Sequence, residues 1–154
     1  MAEATAKSLY DRLGGVYAIA AVIDDLIDRI MDNPRLNANP KVDEAHHRVS
    51  RAGFKYLVTE MVCGATGGPQ QYTGRFMRES HVHLDITDEE WQVFMADLQA
   101  CLDHFAVPTT EQGEIVALVV LIVRINVVCP PGLLSPKYRK VFDSKEKAEK
   151  RSDA

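Results

Sequence analysis

The chain has 154 residues, a length that usually forms one domain around a single core. Its apolar fraction of 46% and its 26% of charged residues are typical of a soluble globular protein and argue against an unfolded chain. The net charge of −4 argues against general nucleic-acid binding, and the longest apolar run, Ile115–Val123, is far shorter than the roughly 20 residues that cross a bilayer.

Helical periodicity begins near the start of the chain. Ser8 is expected to cap a short helical turn, which Gly14 and Gly15 then end. Asn33-Pro34 is expected to end the next helix, because a residue before proline avoids the α conformation. The apolar face of that helix is predicted to contain Ile19, Val22, Ile23, Leu26, Ile27 and Ile30.

The middle of the chain is rich in prolines and glycines. The segment NPRLNANPKV, residues 33–42, contains two prolines and predicts a loop, after which one helix is expected from about Asp43 to Val62, with Val49 on its buried face. Four glycines and a proline between Cys63 and Gly74 predict an extended loop. The segment FMRESH is expected to form one or two helical turns at most.

Two further helices are predicted in the second half. A capping box of Thr87 and Glu90 predicts the start of the first, and Thr109 with Gln112 offers a similar start for the second, over roughly residues 110–128. Because the second is apolar on nearly all sides, we expect it to be the most buried helix. No segment alternates with the period of a strand, so the fold is predicted to be all-α.

The cysteines and the two ends of the chain suggest where the protein works. Cys63, Cys101 and Cys129 form no CxxC motif, and the first residues contain no apolar segment like that of a signal peptide, so we expect reduced thiols and a cytoplasmic location. Cys63 and Cys101 are expected to pack as small hydrophobic side chains. Cys129-Pro130 is expected to end a helix rather than to bind a metal.

Five histidines are candidate ligands. His46 and His47 are expected at the surface, and His104 at a helix C-terminus. His81 and His83 lie in the short segment between the long helices, without the cluster of ligands that zinc requires. A lone histidine there is more often structural, but one histidine facing an apolar helical interior is also what a haem iron requires.

Three segments together resemble the truncated haemoglobins, the two-over-two α-helical globins, and most of all their first group. They are LYDRLGG from Leu9, TGGPQQYTGRFMRESH from Thr66, and LDITDEEW from Leu84. The resemblance implies a two-over-two helical sandwich with a short proximal helix after an extended loop. It also implies a globin domain over residues 1–131, followed by a charged tail over 132–154.

The resemblance assigns roles to particular residues. In that family the histidine that ends the M-x-x-x-H segment binds the haem iron, which implies His81 as the metal ligand and haem b as the cofactor. His83 is then expected to face solvent or to hydrogen-bond a haem propionate. Further walls of the haem pocket, each of which could equally be plain core, are expected from Met77, Ile86, Phe94, Leu98, Ile115 and Val119.

The distal side departs from the family pattern. Many relatives carry a Phe-Tyr pair on the second helix whose tyrosine hydroxyl holds the bound gas, and the matching positions here are Leu26 and Ile27. Counting back from Gly67-Gly68 places Phe54 and Val58 at the positions that face the iron. The chain is several residues longer than the family pattern between Leu36 and Phe54, so an alternative register would turn Tyr56 or Lys55 inward.

These features imply a haem protein that reversibly binds O2, CO and NO, with weaker retention of oxygen than in tyrosine-bearing relatives. Oxygen transport or storage, sensing and NO chemistry stay open as roles. NO dioxygenase or peroxidase-like turnover would need a separate reductase, and an apolar distal side counts against an efficient dioxygenase. The alternative is a haem-free helical interaction module that docks a partner through the basic tail. We expect a monomer or weak dimer, without a membrane span or a nucleic-acid partner.

Overall fold

The computed structural model describes residues 6–124, and all regular secondary structure in that range is helical. A short 3₁₀ turn covers Val82–Leu84 and a π-helical turn covers Val120–Arg124. The predicted helix end at CPPGLL, Cys129 and the tail over 132–154 lie outside the described residues. The α-helices are α1 (Leu9–Arg12), α2 (Gly15–Asp32), α3 (Pro34–Asn37), α4 (Pro40–Arg48), α5 (Arg51–Ala65), α6 (Met77–His81), α7 (Asp88–His104) and α8 (Thr109–Val119).

The junction between α1 and α2 depends on a cap and two glycines, as the sequence predicts. Ser8 Oγ accepts a hydrogen bond from the backbone N–H of Asp11 at 3.1 Å. Gly14 and Gly15 have φ values of 95° and 77°, in the left-handed region that glycine adopts with little strain. The chain can therefore turn sharply and begin α2 at Gly15.

Helix α2 is the centre of the fold and packs against both α5 and α7. Charged side chains join α2 to α5 outside the core, where Arg51 pairs with Asp28 at 2.8 Å and with Asp32 at 2.6 Å, and Lys55 pairs with Asp24 at 2.7 Å. The expected apolar face is confirmed, since the buried residues of α2 are Ile19, Ile23, Leu26, Ile27 and Ile30.

The loop predicted for residues 33–42 is wrong, because α3 and the first part of α4 occupy it. Pro34 and Pro40 each begin a helix, a position where proline loses nothing because the first N–H groups have no partner within the helix. Asn33 and Asn39 cap these helices by accepting from the N–H groups two residues on, both at 3.0 Å.

The single helix predicted from Asp43 to Val62 is also wrong. Helix α4 ends at Arg48, and Val49, expected on the buried face, is extended and exposed. A new cap at Ser50, whose Oγ accepts from Gly53 N–H at 3.1 Å, then begins α5 at Arg51. The capping serine, Ser50, thus divides the single predicted helix into two.

The prediction for the last helix is corrected in two respects. Thr109 does not cap α8, because it is the first helical residue and Pro108 occupies the N-cap position without a side-chain hydrogen bond. The Gln112 side chain instead donates to the carbonyl of Val107 at 2.9 Å. Nor is α8 the most buried helix, since none of its residues is fully buried. Its apolar side chains Ile115 and Val119 line a partly open cavity, and their surfaces therefore stay accessible.

Other local predictions are confirmed. Thr87 and Glu90 form a complete capping box at the start of α7, with Thr87 Oγ1 accepting from Glu90 N–H at 3.2 Å and Glu90 Oε2 accepting from Thr87 N–H at 2.9 Å. Cys63 and Cys101 are fully buried. Burial raises the pKa of the Cys101 thiol to about 12, so this thiol stays protonated and donates to the carbonyl of Val22 at 3.2 Å.

The two threonines that begin predicted capping boxes allow a matched test. Thr87→Ala is expected to lower the free energy of unfolding by about 0.5–2 kcal/mol, because the Glu90 N–H in the first turn of α7 loses its side-chain acceptor. Thr109→Ala, at the first position of α8, is expected to change it by less than about 0.5 kcal/mol. Denaturant unfolding of both variants measures the difference, and equal losses would contradict the assignment of the caps.

Candidate functional site

A large, partly open cavity of about 910 Å³ lies among the long helices. Its walls are mainly apolar, and its volume is near the upper end of the roughly 300–1,000 Å³ of small-molecule and cofactor sites. The structure brings together at this cavity every residue predicted for the pocket, namely Ile27, Phe54, Val58, Met77, His81, Ile86, Phe94, Leu98, Ile115 and Val119.

His81 is the last residue of α6 and lines the cavity, partly buried. Its Nδ1 lies 2.9 Å from the carbonyl oxygen of Met77. Since a carbonyl can only accept, Nδ1 must carry the proton, and in the neutral ring Nε2 keeps a free lone pair. Burial lowers the pKa of His81, and the nearby His83 lowers it further, against the effect of the Met77 carbonyl. The side chain is therefore a neutral imidazole in the tautomer that binds metals through Nε2.

The loop between α5 and α6, which carries the chain to His81, is fixed to α5 by a buried carboxylate. Glu60 Oε2 accepts from the N–H of Thr73 at 3.2 Å and from its hydroxyl at 2.7 Å. These bonds, and one from Tyr56, hold the pKa of Glu60 below its usual range. At the other end of the loop, the backbone at Gly68 lies close against the ring of Tyr10. A Cβ atom at this position would come within 2.5 Å of the ring, so only glycine fits here.

The wall formed by α2 carries no hydrogen-bond donor at the positions where relatives are expected to have one. Leu26 and Ile27 are both buried, with 6% and 1% of their surfaces exposed, and both line the cavity. Phe54 and Val58 continue this wall on α5. An apolar surface therefore faces the cavity on this side.

The alternative register on α5 is wrong. Tyr56 has 62% of its surface exposed and does not line the cavity. Lys55 pairs with Asp24 and Asp28 on the outer side of α2. Neither side chain can bring a hydroxyl or an ammonium group into the cavity from these positions.

The prediction that His46 is a surface residue is wrong. His46 lies in the last turn of α4, is half-buried and lines the cavity. Its Nδ1 is 2.7 Å from Asn37 Oδ1, and the Asn37 amide donates through Nδ2 to the carbonyl of Met31 at 2.8 Å. This arrangement makes Asn37 Oδ1 an acceptor and places the His46 proton on Nδ1.

Burial lowers the pKa of His46, with the nearby His47 and Arg51 adding to the effect and Asp43 opposing it. His46 is thus neutral at pH 7, and its remaining ring nitrogen is an acceptor rather than a donor. The other histidines follow the predictions more closely, since His47, His83 and His104 are exposed. His83 also borders the cavity.

Several polar residues at the cavity escaped the sequence analysis. Tyr72, Arg75 and Ser80 border it near α6, and Arg48 borders it at the end of α4. Tyr72 and Arg75 stand within the quoted YTGR stretch, where the Tyr72 hydroxyl donates to the Arg75 carbonyl at 2.8 Å. Arg48 lies within the helix predicted from Asp43 to Val62, and no motif singles it out.

The sequence profile described as Bacterial-like globin matches residues 8–125, which is more than half of the chain. This chain belongs to the bacterial-like globin family. Haem-based gas binding follows from that membership in general terms. No helix within residues 6–124 is both long and apolar enough to cross a membrane.

Curated relatives of this globin include two group 1 truncated haemoglobins. The chain is 29% identical over 117 residues to Group 1 truncated hemoglobin GlbN of Synechocystis sp., covering 73% of this chain and 89% of that protein. It is 26% identical over 117 residues to the protein of the same name from Mycolicibacterium paratuberculosis, covering 76% and 82%. The predicted resemblance to truncated haemoglobins of the first group is confirmed.

Solved structures of similar fold confirm the two-over-two helical architecture. The truncated haemoglobin of Tetrahymena pyriformis in its Fe(III) form gives a TM-score of 0.67 at 18% identity, covering 79% of this chain and 98% of that one. The 2/2 haemoglobin of Synechococcus sp. PCC 7002, in the cyanomet state with covalently attached haem, gives 0.64 at 24% identity, covering 73% and 90%.

The role of Glu60 in holding the loop before α6 can be tested with two substitutions. Glu60→Ala removes every acceptor from Thr73, whereas Glu60→Gln keeps one side-chain oxygen, so we expect Glu60→Ala to lower the midpoint of thermal unfolding by more. Similar midpoints for Glu60→Ala and wild type would show that the loop does not depend on this carboxylate.

The lowered pKa of Glu60 predicts that stability depends on pH, which the same variants can test. Because the folded protein lowers the pKa of Glu60, the ionised carboxylate stabilises the fold above its unfolded pKa of about 4.3, and this stabilisation is lost as the pH falls through the lower folded value. The difference in unfolding midpoint between wild type and Glu60→Gln should therefore be full at pH 6 and shrink below about pH 4.3. A difference that grows on acidification would contradict it.

Proposed function

We propose that this globin reversibly binds diatomic gases, O2, CO and NO, at the iron of a haem b held by His81. The observation that supports this most strongly is the hydrogen bond between His81 Nδ1 and the Met77 carbonyl, which leaves a neutral Nε2 at an apolar cavity. Family membership favours this function over a haem-free interaction module.

The residues of the cavity suit a porphyrin. When bound, the haem supplies an iron with an open coordination position for a gas. His81 would hold it from α6, and the apolar side chains of α7 and α8 that line the cavity, Phe94, Leu98, Ile115 and Val119, would exclude water from its faces. Met77 and Ile86 flank His81 along the chain and line the same cavity.

The proposed globin domain covers residues 1–131, with 132–154 as a charged tail.

We further propose that the distal side retains oxygen weakly. Ile27, Phe54 and Val58 offer no donor, and neutral His46 offers only an acceptor nitrogen beyond its bond to Asn37. Oxygen gains charge when it binds iron, and a hydrogen bond to a charged acceptor contributes about 1.5–3 kcal/mol. Its loss corresponds to roughly ten- to a hundredfold weaker retention. CO, which gains less charge, should be affected less.

The iron ligand can be tested by comparing two neighbouring histidines. His81→Ala is expected to accelerate haem loss by at least about a hundredfold and to alter the Soret band, because the iron loses its protein ligand. His83→Ala, two residues on and exposed, should keep the wild-type spectrum. Free imidazole should restore the wild-type band to His81→Ala. A wild-type spectrum in His81→Ala would refute the proposal.

The apolar distal wall can be tested by adding a donor at the position where relatives are expected to carry tyrosine. Ile27→Tyr is expected to slow oxygen dissociation from the ferrous protein by roughly ten- to a hundredfold, with a smaller effect on CO. Ile27→Phe adds the ring without the hydroxyl and serves as the control. Equal slowing by both variants, measured by stopped flow, would show that size rather than hydrogen bonding governs retention.

A further inference from the structure

His46 lies at the boundary between two cavities of different character. On one side it lines the large apolar cavity of the candidate site, and on the other it lines a smaller and more open pocket, here called the outer pocket. The other residues of the outer pocket, mostly polar or charged, are Met31, Asp32, Asn37, Asp43, His47 and Arg51. Among the described residues, His46 is the only one that lines both. It therefore forms part of the wall between the apolar cavity and solvent.

One hydrogen bond holds the His46 ring in this position. Its Nδ1 lies 2.7 Å from Asn37 Oδ1, and the other ring nitrogen has no hydrogen bond to a described residue. The first turn of α4 is anchored, since Asn39 donates to the carbonyl of Leu84 at 3.0 Å. The other end of the helix lies two residues after His46, where Val49 is extended and exposed. Turning the ring outward thus breaks one bond to a neutral amide.

The outer pocket offers a carboxylate to a ring that turns outward. Asp43 precedes His46 by three residues on α4, a spacing that places the two side chains on the same face of the helix. The Asp43 carboxylate is only loosely engaged, because its contact with His47 Nδ1 is 3.6 Å long. Asp32, the acid that α2 contributes, is already paired with Arg51 of α5 at 2.6 Å.

The apolar cavity offers no comparable partner to a charged ring. Its one carboxylate among the described residues is Glu90, which accepts from Thr87 N–H at 2.9 Å and from Asn39 Nδ2 at 3.2 Å. The other titratable side chains that line it are Arg12, Arg48, Tyr72, Arg75, His81 and His83. None of these can neutralise a positive charge, so the inner position suits a neutral imidazole.

Protonation therefore favours the outward position. In the inner position burial lowers the pKa of His46, with His47 and Arg51 adding to the effect and Asp43 opposing it. A ring in the outer pocket regains water and approaches Asp43, and both changes favour the charged form and raise the pKa. Because the outward ring binds a proton more tightly than the inner ring, the outward population rises as the pH falls.

We propose that His46 is an acid-opened entrance to the haem cavity, closed when its neutral ring is bonded to Asn37 and open when its protonated ring turns outward to Asp43. The inference rests on the proposed function of the cavity. The open entrance connects the cavity with the outer pocket and admits water and diatomic gases. Helix α4 lies in the stretch where this chain is longer than the pattern of truncated haemoglobins, so the entrance is particular to this chain.

The rate of CO association after flash photolysis of the ferrous CO complex tests the entrance. Between about pH 8 and about pH 5.5, the rate in wild type should rise roughly two- to fivefold. His46→Phe keeps a ring that cannot be protonated and should be slow throughout, whereas His46→Ala should be fast throughout. Asp43→Asn should shift the rise to lower pH, because the outward ring loses its carboxylate.

The neighbouring histidine provides a matched control. His47 lines the outer pocket but not the apolar cavity, so His47→Phe should keep the rise in CO association seen in wild type. His46→Phe also retains His81, and a change at the iron ligand on acidification would therefore persist in that variant. A rate in wild type that does not depend on pH, or an unchanged rise in His46→Phe, would overturn the proposal.

NMR of the CO complex gives a readout that does not depend on gas entry. The ring of His46 should titrate with the same midpoint as the CO association rate. Its nuclear Overhauser contacts with Asn37 at pH 8 should give way to contacts with Asp43 at about pH 5.5. Contacts with Asn37 that persist after the ring is protonated would show that the ring does not turn outward, and would also overturn the proposal.

A failure of the underlying function gives a different result. If the wild-type protein took up no haem, or if His81→Ala kept the wild-type Soret band, the haem site itself would be refuted. A Soret band that depends on His81, together with CO association that does not depend on pH, would refute the entrance alone.

Discussion

The hydrogen bond from His81 Nδ1 to the Met77 carbonyl is the interaction on which the proposed site depends. It has two consequences at once, because it orients the ring and fixes which nitrogen carries the proton. Without it, the ring could present an N–H toward the cavity, and a protonated nitrogen cannot bind a metal. The bond is local to one turn of α6, so a helix of five residues suffices to supply it.

A helix as short as α6 is positioned by its contacts with neighbouring elements. The loop before α6 is fixed to α5 by the carboxylate of Glu60, and the turn after it is tied to α4, where Asn39 donates to the carbonyl of Leu84 at 3.0 Å. Helix α4 also carries His46 and Arg48 to the cavity. The long helices α2, α5, α7 and α8 supply the apolar walls.

Helices and their caps could be predicted from the sequence where side-chain chemistry and hydrophobic periodicity agree. The apolar stripe of α2, the cap at Ser8 and the capping box at Thr87 all follow from spacing and side-chain type. The sequence was insufficient where a residue has two conformational uses, since Pro34 can end one helix and begin the next. The sequence also could not show that α8 faces a cavity, because the same apolar side chains are suited to packing in a core and to contacting a ligand. The resemblance to truncated haemoglobins, rather than periodicity, singled out His81. The side-chain hydrogen bonds of Glu60 and His46 and the position of Arg48 at the cavity became apparent only in the structure.

The most direct test of the central claim is a crystal structure of the haem-bound protein. We expect continuous density between the iron and Nε2 of His81, with Nδ1 still hydrogen-bonded to the Met77 carbonyl. Iron bound on the proximal side by any other side chain, or a haem outside the cavity between the long helices, would contradict the account.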